Sequence, residues 1–171
     1  MGKSAITDKY SNVAFATVTL SAANTLTFNQ ILMGTGVFAG VALLINRILW
    51  SPTVTSLREI VAATDDLTMA LVSSNRLATI FDATDPAVLA QKRLVGIGVA
   101  VERYELPLIS DFSTLPGGGK LIPASPLWMA GHTSGAAAAS IIRCQLDFTF
   151  IQLDAADYLE LMQSTYPANV S

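Results

Sequence analysis

The sequence predicts an all-β sandwich or closed barrel, and three observations carry that prediction. Apolar and polar residues alternate with a period of two in several separate runs, the pattern of a pleated strand. Clusters of Gly, Pro, Ser and Asn punctuate those runs at short intervals, as in sandwiches and barrels. A wound α/β sheet needs a long helix after most strands, and such helices are missing.

The first elements are two polar-apolar runs. Val18 and Leu20 alternate with Thr17 and Thr19; beyond residues 21–24, Leu26 and Phe28 alternate with Thr25, Thr27 and Asn29. Thr and β-branched residues suit a pleated surface, so these runs predict two strands joined by a short turn. A Gly-rich turn at 34–40 leads into a strand over 41–50, ended by Pro52. The run Val41-Ala42-Leu43-Leu44-Ile45 is apolar on both faces, as expected of a strand covered on both sides. Residues 55–63 predict a short helix capped by Thr55 or Ser56.

Leu67, Met69 and Leu71 alternate with Asp66, Thr68 and Ala70, giving another strand. Asp85-Pro86 predicts the start of a short helix through residues 87–90 towards Lys92-Arg93, with Asp as cap and Pro in the first position. Val95, Ile97, Val99 and Val101 mark one face of a further strand opposite Gly96, Gly98 and Ala100. Glycines on one strand face signal a bulge or a close approach.

Residues 106–121, with Pro107, Pro116 and Gly117-Gly118-Gly119, predict a long mobile loop, and 122–129 short extended pieces broken by Pro123 and Pro126. The clearest strand is the last. Ile142, Cys144, Leu146, Phe148 and Phe150 share one face, with Arg143, Gln145, Asp147 and Thr149 on the other. Asp154 then caps a short helix holding Asp157, Tyr158, Leu159, Leu161 and Met162, which Tyr166-Pro167 ends. A single domain spans residues 1–171, with 1–12 as an extended N-terminal arm and 164–171 as a C-terminal tail.

Composition says how such a sandwich meets its surroundings. Apolar residues make up 51% of the chain and charged residues 13%, against about 25% charge in an average soluble domain. Either Ser, Thr, Ala, Asn and Gly cover the exterior of an ordinary domain, or part of that exterior is covered by other molecules, as in obligate oligomers. The net charge is −3, and Lys3 and Lys9 are the only cations before Arg47. Binding nucleic acid through phosphates needs clustered cations, so tight direct binding is not expected. Residues 31–45 are uncharged, but as a helix they would rise only about 22 Å against a hydrocarbon core of about 30 Å. No transmembrane helix is expected.

Reactive chemistry is sparse. His132 is the one histidine, in Gly131-His132-Thr133-Ser134-Gly135, where Ser falls one place late for a nucleophile elbow. It is expected to be an ordinary loop histidine. Cys144, the one cysteine, lies on the apolar face of the last strand and is expected to be a small core residue. Gly117-Gly118-Gly119-Lys120 lacks the spacing and the following helix of a phosphate loop. Asp65, Asp66, Asp82 and Asp85 have no calcium-loop spacing and are expected to be solvated turn acids. No catalytic residue, metal ligand or cofactor is expected.

The pattern resembles the single jelly-roll coat (capsid) proteins of icosahedral viruses. The residues that carry the resemblance are Pro126-Leu127-Trp128-Met129, the small-residue turn at 134–139, the long alternating strand at 141–151, and the helix Asp157-Tyr158-Leu159-Glu160-Leu161 after it. The resemblance implies a jelly-roll β-sandwich of about eight antiparallel strands in two four-stranded sheets. It implies a structural, non-enzymatic protein made in the host cytoplasm and located in the virion. Its partners would be copies of itself and other capsid proteins. Without a basic arm, the genome would be held by other proteins, by a membrane or by confinement. Trp50, Trp128 and Tyr166 are candidate subunit-contact aromatics, with core packing the competing role for both tryptophans. The competing function is a ligand- or carbohydrate-binding sandwich, which would need exposed aromatics in a groove.

Overall fold

The computed structural model describes residues 5–6, 11–20, 25–33, 40–53, 56–57, 60, 62, 64–96, 107–135 and 139–165. Among the described residues ten strands form two antiparallel sheets: β1 (Ala5–Ile6), β2 (Asn12–Leu20), β3 (Thr27–Ile31), β4 (Val41–Pro52), β5 (Asp66–Val72), β6 (Val88–Val95), β7 (Leu108–Asp111), β8 (Lys120–Pro123), β9 (Leu127–Ser134) and β10 (Ser140–Gln152). The helix α1 (Ala155–Thr165) follows β10. The larger sheet runs β1-β10-β4-β7, with β2 also on β10 and β8 also on β4; the smaller runs β3-β9-β5-β6. The chain changes sheet between β2 and β3, β3 and β4, β4 and β5, β6 and β7, β8 and β9, and β9 and β10. Two sheets exchanged in this way make a jelly-roll sandwich.

Alternation decides what lies between the sheets. Along β2, Ala14, Ala16, Val18 and Leu20 are buried while Val13, Phe15, Thr17 and Thr19 are exposed. On β10, Ile142, Cys144, Leu146 and Phe148 point inward. They meet Leu67, Met69 and Leu71 of β5, Met129 of β9, and Ile45, Ile48 and Trp50 of β4 in one core.

Near its middle, β4 carries a bulge. Asp147 pairs with Arg47 but Phe148 pairs with Ile45, which leaves Asn46 as the extra residue. Asn46 Nδ2 donates to the Gly118 carbonyl (3.0 Å) and its own carbonyl accepts from Phe112 N (2.9 Å). The bulge therefore holds the turn that splits this sheet edge into β7 and β8. Gly118 sits at φ +77°, and a Cβ on Gly119 would fall 2.7 Å from the Ile45 carbonyl, so both places need glycine.

Several expectations change in the folded chain. Residues 88–95 are strand, not the helix expected after Asp85-Pro86. Asp85 Oδ1 accepts from Ala87 N and its carbonyl from Val88 N, both 2.8 Å. That turn uses the same Asp-Pro chemistry as a helix start. Val88 and Leu89 are adjacent and both buried, one on each side of the sheet, which only a strand permits. The short helix near residue 56 is capped by Thr53, whose Oγ1 accepts from Ser56 N and whose carbonyl accepts from Leu57 N. Of that helix, Ser56 and Leu57 are described. The expected loop at 106–121 contains β7, paired with β4 from Arg47 to Trp50. β2 and β3 do not form a hairpin; each pairs within a different sheet. The strand expected over 95–101 lies beyond Val95 mostly outside the described residues.

The last strand and its helix follow the expectation closely. Asp154 Oδ1 accepts from Asp157 N (2.8 Å), the N-cap bond that starts α1. Among the described residues no helix is long and apolar enough to cross a membrane; the apolar segment 31–45 lies partly in β3 and β4.

Candidate interaction face

The two sheets treat their outer faces differently. On the smaller sheet that face is closed by the chain itself. Every residue of β5 is buried, against the expected alternation, because residues 73–87 fold over it. Ala70, Val72, Val88 and Ala130 pack there with Ile80, and Trp128, Phe28 and Leu77 flank them. Gln91 Nε2 holds the strap by donating to the Ile80 carbonyl (2.7 Å). Phe81 meets His132 edge-on at 4.8 Å, and the Arg93 guanidinium lies over the Phe81 ring at 5.1 Å. Asp66, 3% exposed, accepts from Arg93 Nε (2.8 Å) and faces Ser134 Oγ at 3.0 Å.

No such cover lies over the larger sheet among the described residues. Its register sets side chains in rows across four strands. One row holds Val13, Asp147, Arg47 and Asp111; the next holds Phe15, Gln145, Leu49 and Ile109; a third holds Thr17, Arg143 and Ser51. Phe15 is 69% exposed, Val13 50% and Ile109 49%. Apolar side chains of this size on an outer face mark an interaction surface when they lie together. Beside them sits an ion pair: Arg47 donates to Asp147 Oδ2 through Nε (2.8 Å) and Nη2 (2.6 Å), and Gln145 Nε2 donates to Asp147 Oδ1 (2.8 Å). Covered this way, Asp147 is buried, while Arg47 stays half open. A shallow hollow of about 520 Å³ lies among Val13, Asn46, Arg47, Asp111, Gln145 and Asp147. The Ser113 hydroxyl and backbone N–H, with a smaller effect of Arg47, hold the Asp111 carboxyl below the usual carboxylate range.

The aromatics singled out by sequence do not gather on this face. Trp50 is wholly buried, and its indole N–H donates to Ser110 Oγ (3.0 Å). It fills the core and is closed to a neighbour. Trp128 is half-buried beneath the smaller sheet's cover. Tyr166 lies outside the described residues. His132 is on β9 opposite Thr68, not in a loop. Cys144 is inside the sandwich, on the other sheet, so no His–Cys pair forms. Of the four acids, Asp65, Asp82 and Asp85 accept from nearby backbone N–H groups at Ala62, Thr84 and Ala87, and Asp66 is the buried exception.

Burial pushes the Cys144 thiol up to about 12. An aromatic disulfide reagent at pH 8 is expected to leave it unlabelled in the native protein and to label it fully on unfolding. The sign follows. A thiol kept neutral contributes stability that is complete below the unfolded value of 9.0 and is lost as pH rises towards 12. Rapid native-state labelling would contradict the burial.

Phe15 is the residue the sequence reading missed, and a signal for it existed. Val13-Ala14-Phe15-Ala16 alternates large with small rather than polar with apolar. Extending the Thr17 and Thr19 phase backwards places Phe15 and Val13 on the outer face. The chain matches no protein-family model, and no curated protein compared with it is similar to it.

Proposed function

We propose that this chain is the subunit of a closed protein shell, a viral coat protein that assembles with copies of itself. The outer face of the larger sheet, uncovered among the described residues and exposing Phe15, Val13 and Ile109 on a chain that is 13% charged, carries the reading. The jelly-roll connectivity supports it as an architecture such shells use, though fold by itself does not assign function. At roughly 25 cal/mol per Å², a patch of a few side chains gives a weak contact, and a closed shell sums many of them.

Negative-stain microscopy of the purified protein tests this. Uniform closed particles are expected, including particles free of nucleic acid. Raising salt should leave assembly intact, because burial of apolar surface is not screened as surface charge is. A requirement for nucleic acid, or dissolution by moderate salt, would contradict assembly by burial. The hollow beside Arg47 and Asp147 favours a second reading, a ligand-binding sandwich. It offers mixed donors and acceptors but no aromatic ring for a sugar to stack on. Calorimetric titration with neutral sugars checks that reading, and binding to a monomeric protein would favour it.

A further inference from the structure

The sandwich has two flanks, and they are built differently. One is formed by β6 on the smaller sheet and by β7 and β8 on the larger. Lys92, Arg93, Asp111, Lys120 and Pro123 lie on these strands. Charges, proline and short length are the usual devices that stop an edge strand from pairing with another chain. The opposite flank is formed by β1, β2 and β3, and among the described residues these strands contain no charged residue and no proline. Among the described residues, β10 is the only strand paired with β2. Nine residues long, β2 follows β10 with no break in register. An edge of that length without charge or proline is a template for a further strand.

We propose that the outer edge of β2 pairs antiparallel with β2 of a second copy, about a two-fold axis at Phe15, so that the larger sheets of two subunits become one. This rests on the self-association reading and names the surface it uses. A second copy is the occupant because the edge is complementary to itself. An uncharged strand meets its own image without like charges in opposition. In this register Phe15 lies against Phe15 of the second copy, and Val13 against Thr17 of the second copy. The row that begins at Asp147 and Val13 then continues through Thr17 to Arg143 of the second copy, and the reverse holds across the axis. Arg143 is exposed and has no hydrogen-bond or ion-pair partner among the described residues. Because Arg47 already neutralises Asp147, this row sets no like charges in direct opposition. Asn29 Nδ2 already donates to the Thr17 carbonyl (2.6 Å), which keeps a second lone pair for the new strand. A flank about 30 Å long and two sheets deep gives on the order of 600 Å² per copy, less than the roughly 800 Å² of a standard complex. The pair is weak alone, as a unit of a larger assembly should be.

Sedimentation velocity on the wild type, Phe15→Lys and Ile109→Lys tests the pairing. Both substituted side chains are exposed, and unchanged thermal unfolding confirms that each variant folds. The wild type should show a two-copy species. Phe15→Lys, which sets two like charges face to face, should weaken it about tenfold or more, while Ile109→Lys should retain it. Oxidation of Phe15→Cys should give a covalent dimer and oxidation of Thr19→Cys should not, since Cys144 is buried and silent. If Ile109→Lys alone dissociates the pair, or Thr19→Cys cross-links as readily as Phe15→Cys, the edge pairing is overturned while self-association stands. A wild type that is monomeric at every concentration overturns both.

Discussion

Replacing Trp50 with alanine is expected to cost about 3–5 kcal/mol, the range for removing a large aromatic from a packed core. Trp50 is 0% exposed and is the largest fully buried side chain, set where β4 faces the smaller sheet. Its loss leaves a cavity that two hydrogen-bonded sheets cannot collapse into, and it leaves Ser110 without the indole donor. Since a whole domain is held by about 5–15 kcal/mol, the variant should unfold at much lower urea than the wild type. Trp50→Phe keeps most of the volume and should lose clearly less. Equal midpoints for Trp50→Ala and the wild type would mean that the indole is not where the core is built.

The second large effect is expected at Gly131, for the opposite reason. Gly131 is on β9, between Met69 of β5 and Thr27 of β3, and its missing side chain makes room for the other sheet. A Cβ there would lie 2.7 Å from Ile142 Cδ1 and 3.3 Å from Leu20 Cδ2. Neither neighbour has free space, because both are buried in the same core. Gly131→Val should therefore cost about 1–3 kcal/mol through overpacking, with Gly131→Ala less. Chemical denaturation of the three proteins checks the order. A stabilised valine variant, as strand propensity alone would predict, would contradict the close approach of the sheets.

Much of the sandwich was legible in the sequence where one face of a strand meets the core and the other meets water. β2 and β10 announce themselves through that contrast. β5 is legible as a strand but its exposure is not, since its second face is covered by residues 73–87 and no local pattern encodes a distant cover. β6 reads locally as a helix because Asp85-Pro86 serves a turn and a helix start equally, and because Val88 and Leu89 are buried on opposite sides. β9 was only partly read: Gly131-His132-Thr133-Ser134 looks like loop chemistry, yet pairing with β5 and close approach by Ile142 require a strand with a glycine in it. The interaction face was the hardest to see. Trp50 and Trp128 are large aromatics, but size favours the interior unless the strand's phase turns a residue outward. Phe15 is outward because it shares the phase of Thr17 and Thr19, and Ile109 lies in its row through pairings that join residues far apart in the chain.

Hydroxyl-radical footprinting of the wild type, read at Phe15 and Ile109 from dilute to concentrated protein, tests directly whether sister subunits complete this exterior. Both side chains should oxidise readily when dilute, and Phe15 should become protected as copies associate. Equal oxidation of Phe15 throughout, with a constant mass of 18.1 kDa by light scattering, would show a surface that meets only water and would contradict the account.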